Sequence, residues 1–309
     1  MSSDSSYYVP ESSKLPIFMA FGLLLFVLGA GSTINDLGKE SSNSYILLMT
    51  SFAVIWGVMF VWFSNVINEN NKGMYSDQLN QSFVWGMAWF IFSEVMFFFA
   101  FFLALGYVRM FSVPWLGGEG EKAITNILWP AFEATWPVMV TPDNETFPGA
   151  EKNMNMPGIT KLHTWLPFWN TLCLVTSSGT IALAEAALKK GRRAAFKGWM
   201  VATISLGFIF VFLQGLEYYE AYAHMGLTLG AGIYGTTFFL LTGFHGFHVC
   251  LGAIILTIMT IRGFGGAFSE HDHFGLAAGS WYWHFVDVVW ILLVPVSYTH
   301  LTLPTTLSV

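Results

Sequence analysis

Residues Phe83–Val108 read FVWGMAWFIFSEVMFFFAFFLALGYV, an apolar run of 26 residues with a single charged side chain, Glu94, near its middle. The hydrocarbon core of a bilayer takes about 20 apolar residues of helix. Inside it every backbone polar group has to find its partner within the segment, so the run is predicted to be a membrane-spanning helix. A carboxylate near the hydrocarbon centre costs roughly 2.5–3.5 kcal/mol on insertion scales, so such a group faces protein or internal water, or carries a proton. Two compatible readings of Glu94 follow. One is a functional, proton-related carboxylate; the other is a protonated acid hydrogen-bonded to a neighbouring helix.

The rest of the chain has the same character. Of 309 residues 54% are hydrophobic and only 10% are charged, against about 25% charged in a soluble domain. This is the composition of a polytopic membrane protein. A net charge of −6 argues against nucleic acid as a partner. Cys173 and Cys250 lie in apolar runs and read as small buried hydrophobes, with no disulfide framework and no CxxC pair. The polar start, MSSDSSYYVPESSK, lacks the basic region of a cleaved signal, so the first span is expected to be its own insertion signal.

Seven apolar segments are legible: Leu15–Gly31, Tyr45–Ile67, Phe83–Val108, Trp165–Ala184, Gly198–Leu216, Gly232–Ile261 and Gly275–Val296. Residues 1–14 form a polar N-terminal segment. A long connection rich in Pro, Gly and Trp, residues 109–164, reads as turns and coil. The short loop after the fourth segment holds Lys189, Lys190, Arg192, Arg193 and Lys197, whereas the loop after the fifth holds no Lys or Arg. Positive charge marks the cytoplasmic (or matrix) side. Counting spans from there puts the N-terminus inside and the C-terminus outside.

Several polar side chains lie within these segments. Gln214 and Glu217 share a face near the end of the fifth, His245 and His248 a face of the sixth, and His284 and Asp287 a face of the seventh. Paired histidines can bind a metal given further ligands, can ligate haem beside an open cavity, or can bond neighbouring helices. His284 and Asp287 read as partners of backbone and neighbouring helices rather than catalytic groups. Arg262 closes the sixth segment, either as a snorkelling anchor or as a bidentate holder of a lipid phosphate.

Together these motifs resemble subunit III of the haem-copper cytochrome c oxidases. The stretches that carry the resemblance are Gly86-Met87 with Phe90–Phe98, Leu166-Pro167 with Asn170-Thr171 and Ser178-Gly179, Gln214 with Glu217-Tyr218, Tyr234-Gly235 through Thr242–Val249, and His273-Phe274-Gly275 with Trp281–Trp290. They run in order along most of the chain, and Phe111–Gly120 is similar to proteobacterial members. The resemblance implies an all-α integral membrane fold of seven helices. The first two (residues 15–67) are set apart from the other five (83–295) by a lipid-filled, V-shaped cleft. It also implies a non-catalytic subunit of an aa3-type oxidase that binds no metal and no redox centre of its own. Haem a and copper belong to subunit I, the main contact, and copper to subunit II. The implied roles are to maintain proton uptake into subunit I, to stabilise it during turnover, and to hold phospholipids along a possible route for O2. Glu94 matches the family's carbodiimide-reactive carboxylate. Arg262, with Glu69, matches lipid-binding positions. A bacterial inner membrane is the expected location, with the C-terminus periplasmic, ahead of the mitochondrial inner membrane.

Departures from the family pattern stand at Asn68, where an Arg is common, near Val84, where another is, and around Glu185 and Ala186, where a His pair is usual. The stretch VSYTHLTLPT looks like translated library-adapter DNA, so Val296–Val309 is read as a non-native tail. Two other readings compete. A related quinol-oxidase subunit III would typically lack the first two helices. A proton-coupled transporter working through Glu94 would tend to carry inverted repeats, and none is legible here.

Overall fold

The computed structural model describes residues 8–9, 12–36, 43–270 and 273–298. The described residues are helical with connecting turns and contain no strand. The helices are α1 (Leu15–Asn35), α2 (Ser44–Asn71), α3 (Asp77–Tyr107), α4 (Val113–Leu116), α5 (Leu166–Lys189), α6 (Arg193–His224), α7 (Gly232–Phe264) and α8 (Phe274–Ser297). Among the described residues seven spans are long and apolar enough to cross a membrane, with α3 and α4 belonging to one of them, Asp77–Leu116.

Most helices outrun the apolar segments that announce them. Predicted boundaries follow the hydrocarbon core, whereas a helix continues into the interface on polar residues of good helix propensity. Thus α6 runs on through Tyr218–His224, so Gln214 and Glu217 lie well inside the helix and not near its end. The start of the 109–164 connection also needs correcting. The chain leaves α3 through a π-helical turn, Val108–Ser112, and continues as α4. Pro114 has no N–H to give to an α-helical ladder, and a π turn placed just ahead of it shifts the register so that the helix resumes beyond. Coil and short 3-10 turns, Ala123–Ile127 and Ile159–Thr164, follow.

Contacts group the chain into two compact units, Met1–Gly86 and Met87–Val309. In the first, α1 lies directly on α2. Gly29 makes the approach possible: a Cβ there would stand 2.7 Å from the Leu48 backbone nitrogen. Close backbone contact at small residues is how helices gain van der Waals packing where the surroundings are as apolar as the side chains.

In the second unit the core gathers around Trp283 of α8, which is completely buried. Its ring fills the space left by Gly207 of α6 and Gly252 of α7; a Cβ at either would come within 2.8 Å of it. Its Nε1–H donates to Ser177 Oγ of α5 at 2.8 Å. One side chain therefore joins four helices. Two turns further on, Trp290 Nε1–H donates to Thr171 Oγ1 at 2.9 Å and its ring stacks on His245 with centres 5.0 Å apart. Both cysteines are free and only half-buried, less enclosed than the sequence suggested.

Candidate functional site

Glu94 of α3 meets His248 of α7: Oε2 and Nε2 are 2.8 Å apart. The pair is shielded by rings. Phe98 and Phe97 lie 5.0 and 5.9 Å from the imidazole, centre to centre, and Tyr282 of α8 stacks on it at 6.4 Å. The His248 side chain is 9% exposed and that of Glu94 23%, so the carboxylate is the more accessible partner.

The other ring nitrogen fixes the protonation pattern. His248 Nδ1 lies 2.6 Å from the Phe244 carbonyl oxygen. A carbonyl only accepts, so Nδ1 carries a hydrogen. The Nε2–Oε2 contact then holds one proton, on the carboxyl or on the imidazole. Either arrangement leaves the pair neutral overall, which is what a membrane interior tolerates.

His245, one turn before His248, points elsewhere. It is fully buried, and its Nε2–H donates to the Val286 carbonyl of α8 at 3.1 Å. The two histidines share a face of α7 but their Nε2 atoms are engaged with different helices, so they do not converge as a ligand pair. Each histidine thus bonds a neighbouring helix.

Gln214 and Glu217 do come together, through Asn170, named above only among the stretches that carry the resemblance and not as a site residue. Asn170 Nδ2–H, on α5, lies 3.4 Å from Gln214 Oε1 and 3.2 Å from Glu217 Oε2. The Tyr298 hydroxyl donates to Glu217 Oε1. All four side chains are buried, Asn170, Glu217 and Tyr298 completely. A lone Asn in the apolar Trp165–Ala184 run was the available signal. Tyr298 falls inside the stretch read as a non-native tail; residues 299–309 lie outside the described residues. On α8, Asp287 is buried and His284 half-buried.

Glu69, near the end of α2, is half-buried and accepts from the Tyr75 hydroxyl at 3.0 Å, which also reaches the Val66 carbonyl at 3.0 Å. Burial and the Glu69 carboxylate push the Tyr75 hydroxyl above the ordinary phenol range, so it stays a donor. Arg262 is half-buried in the last turns of α7. Its guanidinium lies 5.3 Å over the Phe268 ring, and Lys197 of α6 lies 5.2 Å over Phe264. Two cations are thus seated on aromatic faces at one end of the helices.

The family model described as cytochrome c oxidase subunit III matches residues 5–121 and 126–300. Cytochrome c oxidase subunit 3 of Arabidopsis thaliana is 33% identical over 290 residues, covering 93% of this chain and 94% of that protein. The protein of the same name from Oncorhynchus mykiss is 32% identical over 292 residues, 93% and 94% of the two chains. That of Marchantia polymorpha is 33% identical over 295 residues, 95% and 96%.

Proposed function

The chain belongs to the cytochrome c oxidase subunit III family, and from that premise we propose that it is the non-catalytic third subunit of an aa3-type oxidase, a complex that reduces O2 to water and pumps protons. Haem a and copper reside in subunit I and copper in subunit II, and this chain works through its own polar groups and its lipids. The observation that carries the reading is the Glu94–His248 contact between two of the apolar helices, which we read as a pair sharing one proton. Such a pair suits a subunit that keeps proton uptake into subunit I effective without itself carrying current.

Lipid binding forms the second part of the proposal. Arg262 offers a planar fork for a phospholipid phosphate at the end of α7, and Glu69, near the end of α2, is a second lipid-binding position in this reading. The basic loop between α5 and α6 is assigned to the cytoplasmic or matrix face, with the N-terminus on the same side. We assign the chain to a bacterial inner membrane on the character of its third-to-fourth connection.

Affinity purification of the tagged chain from solubilised membranes tests the assignment. The expected result is a haem a spectrum with a large co-purifying subunit. A lone, haem-free chain from cells that express the oxidase overturns it.

A further inference from the structure

Beyond the π turn the chain makes a short 3-10 turn, Ala123–Ile127, whose role neither the helical spans nor the family match supplies: the match breaks between residues 121 and 126. Three large apolar side chains stand out from it. Ile124 is 74% exposed, Ile127 75% and Leu128 73%. Isolated exposed apolar residues are ordinary. These three fall within five residues, on and just after a turn that is held in place. Thr125 Oγ1–H donates to the Trp115 carbonyl at 2.7 Å, and Asn126 Nδ2–H donates to the carbonyls of Leu116 at 2.9 Å and Trp129 at 3.2 Å. Trp115 and Leu116 form the last turn of the third span, so the turn is fastened beside the end of that span.

The surface below it continues the same character. Tyr107, Met110 and Phe111 are exposed on the span, and the rings of Tyr107, Phe111 and Trp115 follow one another at 5.5 and 5.7 Å. Lys122 lies 4.4 Å over the Trp115 ring. Aromatic rings with an adjacent cation are the arrangement that suits the boundary between acyl chains and headgroups, where an apolar face sinks about 5–10 Å.

We propose that the Ala123–Ile127 turn is a membrane-seated tip, which places Ile124, Ile127 and Leu128 among the lipids at the α4 end of the third span, with Lys122 directed to headgroup phosphate. The occupant is the bilayer itself. The inference needs only that the chain spans the membrane, so it stands or falls separately from the oxidase reading.

An Ile127→Cys substitution tests it in the purified complex that holds the tagged chain. The cysteine is labelled with an environment-sensitive fluorophore and the complex is reconstituted in phosphatidylcholine vesicles. The unsubstituted complex, labelled in parallel, corrects for Cys173 and Cys250. Lipids brominated at the top of the acyl chain are expected to reduce the emission about two-fold while aqueous iodide has little effect, as for a side chain seated at that depth. Strong quenching by iodide without quenching by the brominated lipid overturns the proposal and puts the tip in water. Protection from both quenchers also overturns it and shows a protein partner covering the turn.

Discussion

A hydrogen bond between Glu94 and His248 joins α3 to α7 inside the span. Replacing Glu94 with Gln keeps a group that can both donate and accept toward His248 Nε2. We expect the Glu94→Gln complex to assemble and to retain most of its electron transfer, measured as haem content and oxygen uptake; a complex that fails to assemble makes Glu94 a packing residue. Glu94→Ala is different, because it leaves the largely buried Nε2 unpaired. That costs about 1–3 kcal/mol, read as a lower midpoint in detergent-induced unfolding. Asn170 belongs to the same class of residue. It donates to both Gln214 Oε1 and Glu217 Oε2, so Asn170→Leu removes a bond from each and leaves Glu217 with Tyr298 alone, again a loss of about 1–3 kcal/mol. An unchanged unfolding midpoint would show that Gln214 and Glu217 find other partners.

Glycine faces, more than apolar stripes, organise the elements. A soluble helix shows its buried side by periodicity. Here both the core side and the lipid side are apolar, and close packing has to supply the discrimination. Gly207 and Gly252 face the Trp283 ring, and a larger side chain at either meets it head-on. Gly252→Leu is therefore expected to destabilise the second unit by about 1–3 kcal/mol through overpacking. Gly246→Ala, six residues earlier on α7, is expected to be close to neutral, because a Cβ there meets nothing within 4 Å. Paired unfolding curves of the two variants check the contrast. The π turn ahead of Pro114 belongs at this scale too: it carries the third span on to Leu116, and from there the Ala123–Ile127 turn is hung.

At the scale of the whole molecule, the asymmetry of Lys and Arg gives the expected sidedness. Cysteines introduced in place of Lys190, in the basic loop, and of Leu229, between α6 and α7, are expected to react with a membrane-impermeant reagent from opposite faces of sealed vesicles. Labelling of both from one face would remove a span from the topology. The seven spans and the all-helical class were legible because hydropathy is local: a run of apolar residues reports its own insertion whatever it packs against. The family was legible because its motifs, such as Thr242–Val249 and Trp281–Trp290, are contiguous stretches of sequence.

Local hydropathy is enough to place seven apolar helices along the chain and to pick out the polar side chains within them. Which of those side chains meet follows from the packing of the helices. Glu94 and His248 are 154 positions apart, and Asn170 is 44 and 47 positions from its two acceptors. His245 and His248, three apart on one helix, go to different partners. Helical spacing fixes a shared face, but it leaves open which neighbour that face presents to. That choice depends on where glycine lets two helices close and where an indole fills the gap between them, as Trp283 does between Gly207 and Gly252.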